Sequence, residues 1–314
     1  MEELSDLALD VARSAGAGYA DVRIVERTSE SLTVKNGNLE EAGSNRSAGF
    51  GVRVLLDGAW GFAGSSRIER SEVERTAREA VDIARASGLA TREPIVLDDS
   101  PAAAAVYHTP YREDPFQVSH DEKLRVMFEA DAAMGKVAGV TLRTSSMEFG
   151  REHKTFASSE GARIEQEIVD SGAGIEAMAF NDNEVQRRSY PQSAGGQHVT
   201  AGFEAIRDLR LADNAERIAE EAVALLDAPQ CPSGEMTLII DSPQMALQVH
   251  ESCGHPIELD RVLGMEASFA GTSFLTIDKL DQLQYGSEIV NIEADATAPG
   301  GLGTFGFDDE GVAA

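Results

Sequence analysis

The dipeptide Asn36-Gly37 sits between "SLTVK" and "NLEEA", where apolar and polar residues alternate. A two-residue Asn-Gly connection accepts the positive φ of a primed turn, whose twist matches a pair of antiparallel strands. The chain is therefore expected to fold back on itself here, at the best local hairpin signal in the sequence. Upstream, "YADVRIVERTSE" carries the same alternation, and "GFGVRVLLDGAWGFAGSS" predicts a second pair of strands around Asp57-Gly58. Helical spacing brackets this β-rich stretch. Leu4, Leu7, Ala8 and Val11 predict a helix over 2–15. Val73, Ala77, Ala80, Val81 and Ala84 predict another over 69–87, stopped by Gly88.

Beyond a Pro-containing connection, Ser119 and Glu122 form a capping-box pattern that opens a helix to about Met134. Residues 139–200 read as a meander of long strands: "VTLRTSSMEFGREH", "KTFASS", "ARIEQEIVDSGAGIEAMAF" and "EVQRRSYPQ", with turns at "SSEG" and "NDNE". "NAERIAEEAVALLDA" follows as an amphipathic helix. The linker-like "DAPQCPSGE" then places a domain boundary between 1–228 and 229–314.

Of the 314 residues 42% are hydrophobic, enough for real cores, and the length suits two domains. The longest apolar runs, "TLII" and "AAAAV", are far too short to span a membrane, and the acidic N-terminus does not resemble a signal peptide. A cytoplasmic protein is the expectation. Lys and Arg total 27 against 54 Asp and Glu, and a net charge of -27 repels nucleic acid and anionic membranes alike. The two cysteines, Cys231 and Cys253, are too few for a disulfide framework.

The chemistry concentrates in "QVHESCGHPIELD", residues 248–260. The preceding "EMTLIID" reads as a short strand. Ser242 then reads as an N-cap, with Pro243 at the first helical position, so "PQMALQVHESCGH" is predicted as helix. Five residues of regular α-helix turn about 500°, which would leave His250 and His255 about 140° apart and unable to share an ion. The familiar H-E-x-x-H brings its imidazoles within about 40°. The H-E-x-x-x-H found here therefore requires a bulge or a break. Gly254 weakens the helix between the histidines, and Pro256 cannot donate to the carbonyl of Ser252, so the means of distortion is present. Two imidazoles then suit zinc with a coordination position left open, and Glu251, beside the first histidine, is placed to take a proton from water. The competing reading is two helix-end histidines and a surface glutamate.

"VHESCGHPIELD" resembles the HExxxGH segment of the TldD half of the TldD/PmbA family, whose members are described as modulators of DNA gyrase and are metallopeptidases. "SLTVKNGNLEEAGSNRSAGFGVRVLLDGAWGFAGSS", "EMTLIIDSPQMALQVHE" and "PGGLGTFGFDDEGV" follow the family's pattern in the family's order. The resemblance implies a zinc-dependent peptidase of unfolded or extended peptides, working with a TldE/PmbA-like partner subunit or as a homodimer. His250 and His255 would be the zinc ligands and Glu251 the general base. Glu258 and Asp260 match acidic positions after the motif and would support the histidines. The family's third ligand is a cysteine beyond the Gly-rich segment. This chain has no cysteine past Cys253, so it is expected to be an incomplete member. Cys253 lies roughly 200° around a helix from His255 and is a poor substitute.

The expected fold is α+β. An N-terminal domain of helices on a mostly antiparallel sheet would precede the start of a β-rich C-terminal domain carrying the metal-binding helix. Peptide substrates would add as a strand to an exposed sheet edge beside that helix. A non-catalytic subunit that binds peptides or a partner is the rival function. "GLGTFG", residues 301–306, satisfies G-x-G-x-x-G but lacks the flanking strand and helix of a dinucleotide site, and reads as a Gly-rich strand or loop near the active cleft. His108, His120, His153 and His198 read as ordinary surface residues, and Trp60 and Phe62 as packing or interface anchors.

Overall fold

The computed structural model describes residues 1–98, 102–192 and 196–314. They form two compact units. The first is built from Met1–Pro191, the stretch up to Leu226, and Asp295–Ala314, and the second mainly from Asp227–Ala294.

The first unit opens with helix α1 (Glu2–Ser14), followed by strands β1 (Tyr19–Lys35), β2 (Asn38–Leu56) and β3 (Ala59–Ser65). Both predicted turns form. Asn36 and Gly37 have φ of 46° and 74°, and Asp57 and Gly58 have 50° and 76°, the paired positive values of the primed turn. Each hairpin is closed by a two-residue loop, with Lys35 opposite Asn38 and Leu56 opposite Ala59. The two runs expected upstream of Asn36 are one continuous strand, because β1 pairs along its whole length with β2 on one side.

Next come α2 (Arg70–Gly88), β4 (Ala104–His108), α3 (His120–Met134), β5 (Val140–Ser158), β6 (Arg163–Phe180), β7 (Val185–Tyr190) and β8 (Gln197–Val199), then α4 (Phe203–Leu209) and α5 (Leu211–Ala224). Among the described residues, eight strands make one sheet in the order β3-β2-β1-β5-β6-β4. The outer side of β6 is shared end to end by β4, β8 and β7. Only the β4 pairing is parallel, so the chain is α+β with a mostly antiparallel sheet, as expected. The runs "VTLRTSSMEFGREH" and "KTFASS" belong to the single strand β5.

One face of this sheet carries both main cores, because alternate residues of a strand share a face. Ala20, Val22 and Ile24 of β1 pack with Leu9 and Ala12 of α1 and with Val73, Ala77 and Val81 of α2. Gly61 lets α2 lie against β3, since a Cβ there would stand 2.0 Å from the Ala80 carbonyl oxygen. Farther along the same strand, Leu32 and Val34 join Met127, Met147, Phe149, Ile175 and Ile218. Lys123, fully buried, reaches Glu30 at 2.6 Å and lies 4.4 Å from the centre of the Phe149 ring. Ser119 caps α3 as predicted, its Oγ accepting from the Glu122 N–H at 3.3 Å.

Helix α4 was not expected. At seven residues it shows too little periodicity to register, yet Phe203 and Ile206 bury completely. The following helix begins three residues before the predicted Asn214 start, after Arg210 with φ of 49°.

The opposite face of the sheet receives residues 300–314 of the first unit. Gln166 of β6 reads the backbone there. Its Oε1 accepts from the N–H groups of Gly306 and Phe307, at 3.1 and 2.9 Å, and its Nε2 donates to the Phe307 carbonyl at 2.8 Å. Lys154 donates to Asp309 Oδ1 at 2.6 Å, and Arg53 to Glu310 at 2.9 Å. The formal G-x-G-x-x-G is thus an irregular loop on a sheet face with no helix after it. Trp60 packs edge-on against Tyr19 with Arg53 stacked over its ring, while Phe62 is exposed.

In the second unit, α6 (Ser242–Val249) and a short α7 (Leu259–Val262) are joined by helical turns. The strand expected over "EMTLIID" is not formed. A strand exists only where another lies alongside to share its hydrogen bonds, and none of the described residues 227–294 is in a strand. Leu238 and Ile239 are exposed there. The sheet edge and the β-rich start expected beside the metal helix are therefore absent from this unit. Among the described residues, no helix is long and apolar enough to cross a membrane.

Candidate metal centre

Helix α6 starts one residue earlier than the sequence predicts. Asp241, not Ser242, is its cap, the carboxylate accepting from the Ser242 N–H at 2.8 Å. Pro243 stays within the first turn, where no partner awaits its missing N–H.

The predicted distortion follows at once. Residues His250–Gly254 form a π turn, in which the His255 N–H donates to the carbonyl of His250 five residues back. With bonding from i to i+5, residues five apart stack as residues four apart do in an α-helix. A 3-10 turn, His255–Ile257, containing Pro256 completes the change of direction. The two imidazoles lie with ring centroids 4.4 Å apart and planes at 69°. One potential ligand atom each from His250, Glu251 and His255 falls within 4.8 Å of the others. His250 and Glu251 are exposed and His255 is half-buried, so the group is open to solvent.

Glu258 accepts from His255 Nδ1 at 2.7 Å, and Arg261 Nε pairs with the other Glu258 oxygen at 2.5 Å. Arg261 also comes within 3.4 Å of the same Nδ1. A carboxylate oxygen accepts, so Nδ1 is engaged by Glu258 and Nε2 is the ring nitrogen left to face a metal. The hydrogen bond to His255 foremost, with the charge of Arg261 adding to it, holds the Glu258 carboxyl below the usual carboxylate range against the opposing effect of desolvation. Asp260 does not join the histidines; its carboxylate accepts from the Arg261 N–H at 2.8 Å. Cys253 is half-buried and outside the His-Glu-His group.

The donor set fits a first-row ion such as zinc. Nitrogen ligands sit about 2.0–2.1 Å from zinc, which places donor atoms about 3.3 Å apart on a tetrahedron. The candidate ligand atoms, all within 4.8 Å of one another, lie close to that spacing. The remaining histidines are not gathered into it. His120 lies 3.3 Å from Glu30 and half-buried His153 pairs with Glu165 at 2.8 Å, while His108 and His198 are exposed. Sequence reasoning missed Arg261 and Tyr285. An i,i+3 spacing from Glu258 could have pointed to the first. Tyr285, 33 residues past Ser252, left no local signal.

Three family profiles match in order: PmbA/TldA metallopeptidase domain 1 over residues 20–84, the central domain over 113–226 and the C-terminal domain over 233–314. A metalloprotease of Methanocaldococcus jannaschii is 33% identical over 298 residues, covering 94% of this chain and 62% of that protein. One from Methanothermobacter thermautotrophicus is 30% identical, with 94% and 61% covered. The chain thus spans about three fifths of the length of these relatives. A Thermotoga maritima crystal structure, of a protein described as a proposed modulator of DNA gyrase, shares the fold with a TM-score of 0.73 at 20% identity, covering 99% of this chain and 66% of that one. The relatives' names imply a metal ion, and this chain belongs to the PmbA/TldA metallopeptidase family.

Proposed function

We propose that this chain is the catalytic, TldD-type subunit of a zinc-dependent peptidase. His250 and His255 hold the metal, and Glu251 is the general base. The observation that carries this reading is the π turn, which turns an otherwise unworkable five-residue spacing into a facing pair of imidazoles. When bound, zinc supplies a Lewis acid that polarises the scissile carbonyl and acidifies water. The chain's own groups do the rest. Glu251 takes the proton of the attacking water and returns it to the leaving amine. Glu258 holds the His255 ring so that Nε2 faces the site. The exposure of the group suits an unfolded or extended peptide as substrate. A PmbA-like partner subunit or a second copy of the chain completes the working enzyme in the cytoplasm.

The test is Glu251→Gln, assayed on a reduced and alkylated protein and on a fluorogenic peptide library, with zinc content measured in parallel. We expect zinc retained and hydrolysis reduced by about 10²-fold or more, the ordinary worth of a general base. Undiminished hydrolysis in the variant overturns the assignment. Peptide binding without hydrolysis in both proteins makes the chain a binding subunit instead.

A further inference from the structure

Pro256 has no N–H, so the turn before it always contains a carbonyl that the helix cannot serve: that of Ser252 in an α register, that of Glu251 in a π register. The Ser252 carbonyl accepts instead from the Tyr285 hydroxyl at 2.7 Å. Tyr285 rests against Phe274, with ring centroids 5.2 Å apart and planes tilted by 42°. Two further bonds hold the same stretch. Gln248 Nε2 donates to the Ser252 hydroxyl at 2.6 Å, and the Ser273 hydroxyl donates to the Pro256 carbonyl at 2.6 Å. The carbonyls three residues before and one residue after His255 are thus both held by side chains from beyond α7.

We infer that Tyr285 is a positioning residue for the metal pair. Its hydroxyl gives the Ser252 carbonyl the partner that Pro256 cannot, and so pins the backbone between His250 and His255. Without that restraint the Ser252 carbonyl loses its partner, and the backbone between the two imidazoles is free to shift. The inference rests on the metal-binding reading of H-E-x-x-x-H.

Tyr285→Phe keeps the ring on Phe274 and removes one hydroxyl. Zinc affinity, measured by competition with a chromophoric chelator, is expected to fall about three- to tenfold, the range of one net hydrogen bond. The visible spectrum of the cobalt(II)-substituted chain is expected to change as well, a readout that overall destabilisation does not move. In a Pro256→Ala background the N–H of residue 256 serves the same carbonyl, so loss of the hydroxyl is expected to weaken binding less than twofold further. Unchanged affinity and an unchanged cobalt spectrum in Tyr285→Phe overturn the role of Tyr285 alone. Zinc binding that survives His250→Ala overturns the metal reading and this inference with it, so the two failures are distinguishable.

Discussion

At the scale of single residues, the hydrogen bond from His255 to Glu258 has the clearest consequence. A ligating imidazole needs its second nitrogen held, and loss of such an outer partner typically costs 10–100-fold in metal affinity. Glu258→Gln is accordingly expected to weaken zinc binding by about 10-fold or more, while Asp260→Asn, whose carboxylate accepts from the Arg261 N–H instead, leaves it unchanged. Equilibrium competition titration of the two variants checks the contrast. Residue identity and spacing alone pointed to His250, Glu251 and His255 as a candidate group, and the structure brings one potential ligand atom of each within 4.8 Å of the others. What spacing could not show was which of Glu258 and Asp260 faces the histidines. They are two residues apart at a turn where the helix changes type, and the angular rule of a regular helix no longer applies.

At the scale of elements, the link between β3 and α2 runs through Glu72. Its carboxylate accepts from Arg75 at 2.8 Å, from the Ser65 hydroxyl at 2.8 Å and from Arg67 at 2.6 Å. The Arg75 bond foremost, with Ser65 next, draws the Glu72 pKa from 4.5 to about 2. A carboxylate depressed on folding stabilises above its unfolded pKa and loses that contribution as pH falls through its folded pKa. The melting temperature of the parent chain is therefore expected to exceed that of Glu72→Gln above pH 4.5, with the gap closing as the pH approaches about 2. Thermal melts across that range check it. The long elements were legible in the sequence because each carries its own period and punctuation: Asn36-Gly37, Asp57-Gly58 and Ser119 did what those residues do locally. Helix α4 and the unformed strand at 235–241 were not. The first depends on Phe203 and Ile206 finding a core made by distant strands, and the second on a partner strand that is not alongside.

At the scale of the whole molecule, residues 306–313 are tied to strands far away in sequence. Arg23 Nε donates to the Asp309 carbonyl at 2.7 Å, and Lys154 pairs with the Asp309 carboxylate, which Lys154 holds below the usual range. Asp309→Asn is expected to speed amide hydrogen exchange over 306–313 at neutral pH. The difference should shrink in acid, where the parent carboxylate also becomes neutral. Mass-spectrometric exchange of the two proteins at two pH values decides the point. By itself the sequence determined what short-range physics controls: the α+β class, the hairpin turns, the helix faces and the need for a break between His250 and His255. Only the tertiary structure decided how that break is made and held. A π register, the Glu258 bond and the Tyr285 hydroxyl depend on where residues up to 33 positions apart come to lie, and no local period encodes that distance.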